Sequence, residues 1–169
     1  MTNDVIRNEA RRIIRMFNTR DPFKIARGLG IHVIYDNDFN DLKGMYKVIK
    51  RSRFIFINGN LSLRLQRLVC AHEIGHDRFH RRYAVTGTLQ EYKFHDMTLR
   101  PEREANMFAC EILIDDEMIL ELCRYGYSVD QLAREFKTDV NLVLMKIDDL
   151  KQQGYNVRAP YIPPSDFLR

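Results

Sequence analysis

The hydrophobic pattern predicts an amphipathic helix from Asn3 to Phe17, because apolar residues recur there at helical spacing with arginines between them. Asp21 followed by Pro22 is typical of a helix start, and Gly28 and Gly30 predict the end of this second, short helix. The arginines of the first helix are interpreted as a solvated surface rather than as a nucleic-acid interface.

Three segments rich in β-branched and aromatic residues predict strands over residues 31–35, 45–49 and 54–58. The sequence KRSR between the last two predicts a hairpin loop, so we expect a small antiparallel sheet. After an Asn-Gly-Asn turn, apolar residues return to helical period. This pattern predicts a helix that runs to about His80.

The rest of the chain is predicted to be mostly helical. Residues 86–98 keep no persistent period and predict a loop, whereas Pro101 opens a helix with the sequence EREANMFACEILI. A short helix follows up to Gly126, and residues 128–154 predict two helices around a turn, in a helix-turn-helix pattern. We therefore expect an α+β fold with a domain over residues 1–126, a helix-turn-helix-like lobe over 127–155 and a proline-containing tail over 156–169.

Composition favours a cytoplasmic globular protein. The chain has 169 residues, of which 45% are hydrophobic and 30% are charged. No apolar run approaches the roughly 18 residues of a membrane-spanning helix, and the charged N-terminal sequence does not resemble a secretory signal. Three irregularly spaced cysteines form no disulfide framework. A net charge of +4 permits contact with nucleic acid without requiring it.

The sequence HEIGH, at residues 72–76, carries the strongest chemical signal. Residues four apart lie on one face of a helix, so the imidazoles of His72 and His76 can bind one metal ion. Glu73 can reach a water molecule on that ion and act as a general base. Two imidazoles and one carboxylate leave a fourth position open, as at catalytic Zn²⁺ sites, so zinc is the predicted cofactor.

A third protein ligand must come from another helix. The metzincin pattern is excluded because the position that would carry its histidine is Arg82, and His80 lies too far along the same helix to share the ion. His80 is therefore interpreted as a pocket-rim residue. The sequence does not choose among the residues able to donate to an oxyanion, which are His80, Tyr83, His95 and Arg103.

The helix after Pro101 offers two candidates for the third ligand, Glu102 and Glu104. Glu102 shares a helix face with small residues, which let two helices approach each other. Asn106 lies on the same face and could hold a ligand in place. Glu102 is therefore preferred, and Glu104 is the alternative.

Three stretches taken together, HEIGH, PEREANMFACEILI and SVDQLAREFKTDVNLVLMKIDDL, resemble the ImmA/IrrE family of bacterial metallopeptidases over about residues 44–154. The resemblance implies a gluzincin-like site in which His72, His76 and Glu102 bind Zn²⁺ and Glu73 is catalytic. It also implies cleavage of a helix-turn-helix repressor, which would release phage, mobile-element or stress genes.

Two other classes of function remain open, a DNA-binding regulator and a toxin–antitoxin component, each with a structural or vestigial metal site. Structural zinc sites are usually closed by four ligands, often thiolates, whereas the predicted set leaves a position open. The second helix of the C-terminal pair begins Asp139-Val140-Asn141, and acidic and apolar residues fit DNA poorly. We therefore expect a zinc endopeptidase that acts on a repressor protein, with no membrane partner and with DNA binding disfavoured.

Overall fold

The computed structural model describes residues 1–82 and 100–160, so the predicted loop and most of the predicted tail lie outside the described residues. The chain forms two compact units, one from Met1 to Leu113 and one that begins at Ile114. The helix before Gly126 belongs to the second unit, whereas the sequence pattern groups it with the first domain. The functional division of the chain stays a prediction. Across the described ranges, no helix combines the length and the apolar character needed to cross a membrane.

The first unit combines helices with a small sheet, as the predicted α+β class requires. Its described elements are α1 (Asn3–Phe17), α2 (Pro22–Gly28), β1 (Ile31–Asp36), β2 (Gly44–Ile49), β3 (Ser52–Asn58), α3 (Leu63–Phe79) and α4 (Arg100–Leu113). The Asp21 carboxylate caps α2 by accepting a hydrogen bond from the backbone N–H of Phe23. Ser62 caps α3, and the helix ends at His80 as predicted.

The three strands form a mixed sheet in the order β1-β3-β2. β2 and β3 are antiparallel, and the hairpin turn contains Lys50 and Arg51, both with positive φ. β1 runs parallel to β3, so the expectation of an entirely antiparallel sheet is wrong. The reason is that β3 inserts between β1 and β2 after the chain has reversed direction twice. Within the part of the chain that the structure describes, β2 is consequently an edge strand and β3 is central.

Helices α3 and α4 approach each other closely at Gly75. A Cβ atom placed on Gly75 would lie 2.9 Å from the Ala105 Cα atom and 3.3 Å from its Cβ. Ala105 and the neighbouring Ala109 are fully buried. Small residues at this contact therefore set the distance between the two helices, and with it the position of the first turn of α4.

The second unit is helical over its described residues. Its helices are α5 (Asp116–Arg124), α6 (Val129–Glu135) and α7 (Val140–Gln152). Ser128 and Gln131 form a capping box at the start of α6, and Asp139 caps α7. The buried ammonium group of Lys146 pairs with the Asp116 carboxylate at 2.5 Å. The predicted pair of helices is present, whereas its role as a helix-turn-helix-like lobe stays a prediction.

We predict that Gly75→Ala lowers the free energy of unfolding by about 1–3 kcal/mol, the usual cost of overpacking a core. The added methyl group would press on the backbone of Ala105, which cannot move aside as a flexible side chain can. Denaturant unfolding of the metal-free protein measures the difference. Glycine-to-alanine changes inside helices are otherwise stabilising by about 1 kcal/mol. An unchanged or raised stability would therefore contradict the close contact.

Candidate metal centre

The HEIGH sequence lies in the buried part of α3, between β2 and α4. His72 and His76 are exposed by only 1% and 5%. Because they are one helical turn apart, their rings lie on the same face, with centroids 4.7 Å from each other. The Nε2 atoms of the two rings are separated by 3.0 Å.

Glu102, in the first turn of α4, completes a cluster with these two rings. Its carboxylate oxygens lie 3.2 Å from His72 Nε2 and 3.3 Å from His76 Nε2. The three donor atoms lie within 4.8 Å of one another. The structure thus brings together the three side chains that the sequence suggests as ligands. Glu104 lies outside this cluster and contacts His80 instead.

The charges in the cluster suit a metal ion. Burial lowers the pKa of His76 to about 4, although the neighbouring Glu102 carboxylate acts to raise it. Burial acts to raise the pKa of Glu102, but the neighbouring imidazoles of His72 and His76 lower it to about 2. At neutral pH the cluster therefore contains a neutral His76 and an ionised Glu102, the forms in which these groups bind metals. The pKa of His72 shifts the other way, because burial acts to lower it but the carboxylates of Glu102 and Glu73 raise it by more.

Glu73 is buried on the side of α3 that faces β2. The backbone N–H of Tyr46 donates a hydrogen bond to its carboxylate. Burial raises the pKa of Glu73 to about 7, with His72 acting to lower it and Glu102 to raise it. Gly44 is needed beside it, since a Cβ atom there would overlap the Val69 side chain. A carboxylate with a pKa near neutrality can both accept and return a proton.

Both histidines of the cluster are also held at their second ring nitrogen. His72 Nδ1 lies 2.8 Å from the Asn106 side-chain oxygen, so the contact expected for Asn106 is present. His76 Nδ1 lies 3.1 Å from His80 Nδ1, and His80 Nε2 lies 3.0 Å from a Glu104 oxygen. His80 is only 3% exposed, and it lines a cavity together with Phe79 and Glu104, so it is both a buried hydrogen-bonding residue and a residue of a pocket wall.

A buried acidic residue behind the site was missed by the sequence analysis. Asp77 accepts hydrogen bonds from Tyr46 Oη at 2.7 Å, Arg81 Nη2 at 3.0 Å and Arg53 Nη1 at 3.2 Å. These contacts hold the β2–β3 hairpin against α3. The i,i+4 pair of Asp77 and Arg81 is visible in the sequence. The other two partners are not, because they come from the strands.

Those of the remaining chemical candidates that the structure describes lie outside the cluster. Tyr83 and His95 lie outside the described residues, and Arg103 is exposed on α4. Cys70 and Cys110 are buried in the core, and burial raises the pKa of the Cys70 thiol. Neither of these two thiols joins the metal-ligand group.

Comparison with known proteins supplies the family. The M78 peptidase model, described as the IrrE N-terminal-like domain, matches residues 26–148. The chain belongs to the ImmA/IrrE family of M78 metallopeptidases. The matched range of this M78 metallopeptidase contains the HEIGH sequence, Glu102 and the α3–α4 contact, so the enzyme class predicted from the sequence is confirmed.

Two relatives cover most of this M78 metallopeptidase. It is 28% identical to metallopeptidase ImmA of Bacillus subtilis (strain 168) over 137 residues, which are 80% of this chain and 79% of that protein. It is 33% identical to the uncharacterized immunity region protein 2 of Bacillus phage phi105 over 129 residues, which are 76% of this chain and 80% of that protein.

Proposed function

We propose that this metallopeptidase is a zinc-dependent endopeptidase that cleaves a helix-turn-helix transcriptional repressor and so releases phage, mobile-element or stress genes. The observation that carries the proposal is the buried cluster of His72, His76 and Glu102. The substrate is inferred from the family and from the names of the relatives, of which one is a metallopeptidase and the other an immunity region protein.

The donor set fits Zn²⁺. Two imidazole nitrogens and one carboxylate are the ligands of many catalytic zinc sites, and they leave a fourth position for water or substrate. His72, His76 and Glu102 would hold the ion. When bound, zinc would polarise the scissile carbonyl and lower the pKa of a bound water to about 7.

Glu73 is the general base in this proposal. Its carboxylate accepts the proton of the attacking water and later passes that proton to the leaving amine. The raised pKa of Glu73 suits both transfers, because a carboxylate with a pKa near neutrality binds the proton strongly enough to accept it and weakly enough to release it. The hydrogen bond from the Tyr46 N–H fixes the direction of the carboxylate.

The strand β2 is the proposed pairing site for the substrate backbone. Hydrogen-bonded pairs alternate along an antiparallel ladder, and the Asn58 N–H donates to the Lys43 oxygen at 2.9 Å. The backbone groups of Tyr46 and Val48 therefore turn to the outer edge. The Tyr46 N–H donates to Glu73, so the Tyr46 carbonyl and the backbone groups of Val48 are the ones proposed to pair with a peptide. An extended peptide can add to such an edge. β3 cannot offer its backbone in this way because it is paired on both sides.

Recognition of DNA by the C-terminal helices is disfavoured. The Asp139 carboxylate at the start of α7 accepts hydrogen bonds at 2.8 Å from both the backbone and the side chain of Asn141. The negative charge of Asp139 repels DNA phosphate groups. The same carboxylate also binds the Asn141 side-chain amide, which would otherwise be available to contact a base. We propose packing or docking of the repressor as the role of this lobe.

Zinc binding distinguishes the two candidate third ligands. We predict that Glu102→Gln weakens zinc binding at least about 100-fold, since an amide is a poor substitute for a charged ligand. Glu104→Gln should stay within about tenfold of the wild type, because Glu104 does not face the cluster. Competition with a chromogenic chelator measures both affinities. Equal losses in the two variants would contradict the assignment of Glu102.

Cleavage tests the general base and the substrate together. The assay uses as its substrate the product of a neighbouring reading frame with a helix-turn-helix motif. This candidate repressor is incubated with the wild type and with Glu73→Gln, each with and without a chelator. We expect the wild type to cut the repressor only without chelator, and Glu73→Gln to bind zinc normally but to cut about 10²–10⁴-fold more slowly. Proteolysis retained by Glu73→Gln would remove Glu73 from the role of base. An intact repressor with active wild-type enzyme would contradict the substrate.

Val48→Pro tests the pairing edge. The change removes an outward N–H group, so we expect KM for the repressor to rise about tenfold, which corresponds to one lost hydrogen bond of about 1.4 kcal/mol. Val48→Ala is the matched control, because it shortens the side chain and keeps the N–H. Steady-state cleavage rates and circular dichroism of both variants provide the comparison. Unchanged KM in a folded Val48→Pro protein would exclude β2 as the pairing strand.

A further inference from the structure

A line of hydrogen-bonded side chains continues from the metal cluster beyond His76, from the buried His80 to the partly buried Glu104. His76 and His80 face each other through their Nδ1 atoms at 3.1 Å, and His80 Nε2 lies 3.0 Å from Glu104 Oε2. His76 lies in the last turn of α3 and His80 caps the end of that helix, whereas Glu104 lies on α4. Arg100 Nε also donates to the Glu104 carboxylate, at 3.0 Å. The carboxylate is thereby held in place at the far end of the line.

The hydrogen bonds in this line have only one consistent direction when both imidazoles are neutral. The Glu104 carboxylate can only accept, so the proton of His80 must be on Nε2. A neutral imidazole carries one N–H, so His80 Nδ1 is an acceptor. His76 must then donate from Nδ1. Its Nε2 lone pair consequently faces Glu102 and His72.

This tautomer is the one that metal binding requires. A proton on His76 Nε2 would lie where the ion has to bind, and the proton position is set by the hydrogen bond at the other ring nitrogen. His72 is held in the same tautomer, because the Asn106 oxygen at 2.8 Å can only accept from its Nδ1. The two histidines thus have separate anchors, an amide for His72 and the His80–Glu104 pair for His76.

We propose that His80 and Glu104 are positioning residues, which hold His76 in the Nδ1-protonated tautomer and so raise the affinity of the site for zinc. This inference rests on the ligand set of the proposed function. Partners of metal-bound histidines typically contribute 10–100-fold in metal affinity. Glu104 does not contact His76 directly. It raises the zinc affinity by holding His80, which in turn holds His76.

Two substitutions of His80 separate hydrogen bonding from packing. Leucine removes the acceptor for His76, whereas asparagine can place its amide oxygen near the position of the lost Nδ1 atom. We expect His80→Leu to weaken zinc binding about 10–100-fold, and His80→Asn to recover the wild-type affinity to within about threefold. His32→Leu is the control, since His32 is an exposed histidine on β1 and should leave the affinity unchanged.

Nuclear magnetic resonance reports the tautomer itself. Two-bond ¹H–¹⁵N correlation spectra of the zinc-loaded protein show which ring nitrogen carries the proton. We expect the wild-type His76 Nδ1 proton to exchange slowly with water, and to exchange at least about tenfold faster in His80→Leu but not in His80→Asn. A role in packing alone would leave this exchange rate unchanged.

The outcomes separate the possible failures. Wild-type affinity in His80→Leu, or an equal loss in the leucine and asparagine variants, would overturn the positioning role. If His80→Leu does not fold, Glu104→Ala and Glu104→Gln make the same comparison, with a loss of about tenfold expected only for alanine. Zinc binding by the wild type that is insensitive to Glu102→Gln would instead overturn the ligand set of the proposed function.

Discussion

The candidate site depends on the close approach of two helices at Gly75 and Ala105. The HEIGH spacing by itself brings two imidazoles together, but a third donor must reach them from α4. A Cβ atom on Gly75 would lie only 2.9 Å from the Ala105 Cα atom, so any larger residue would push α4 away. Glu102 and Asn106 lie three residues before and one residue after Ala105, on the same side of the helix. One helix face therefore supplies the packing contact, a candidate ligand and the anchor of His72.

The outer polar atoms of the site are buried, and their burial is tolerated because each of them has a hydrogen-bonding partner. An unpaired buried polar group costs several kcal/mol at worst, and a buried charge costs more. Asn106 and His80 satisfy the outer nitrogens of the two cluster histidines, and the Tyr46 N–H satisfies Glu73. The inner atoms are different. Two imidazole nitrogens and a carboxylate meet at 3.0–3.3 Å, and such a group is unfavourable unless a proton or a cation lies between its members. The donor set thus fits a metal on electrostatic as well as on chemical grounds.

The sequence predicts those features that depend on neighbours along the chain. Helical period predicts α1 at Asn3–Phe17, and the i,i+4 rule predicts the pair of imidazoles. Glu102 was preferred because the same rule places it beside Ala105 and Asn106. Features that depend on tertiary pairing were missed. The direction of β1 is set by the insertion of β3 beside it, and the role of His80 is set by Glu104 on another helix. Neither contact leaves a signal in the local sequence, because hydrophobic period and secondary-structure propensity do not show which helices or strands lie next to each other.

The strand β2 links the chemistry to the choice of substrate. Its Tyr46 N–H holds the proposed base, and the next outward residue, Val48, lies about 7 Å further along the same edge. A peptide paired with this edge would have its position relative to Glu73 fixed by main-chain register rather than by side-chain pockets. Such pairing needs an extended peptide, because a helix has already used its backbone groups. The proposed enzyme should consequently select for exposed, extended segments such as linkers between helices, and the folded helices of a repressor would be protected until a linker becomes accessible.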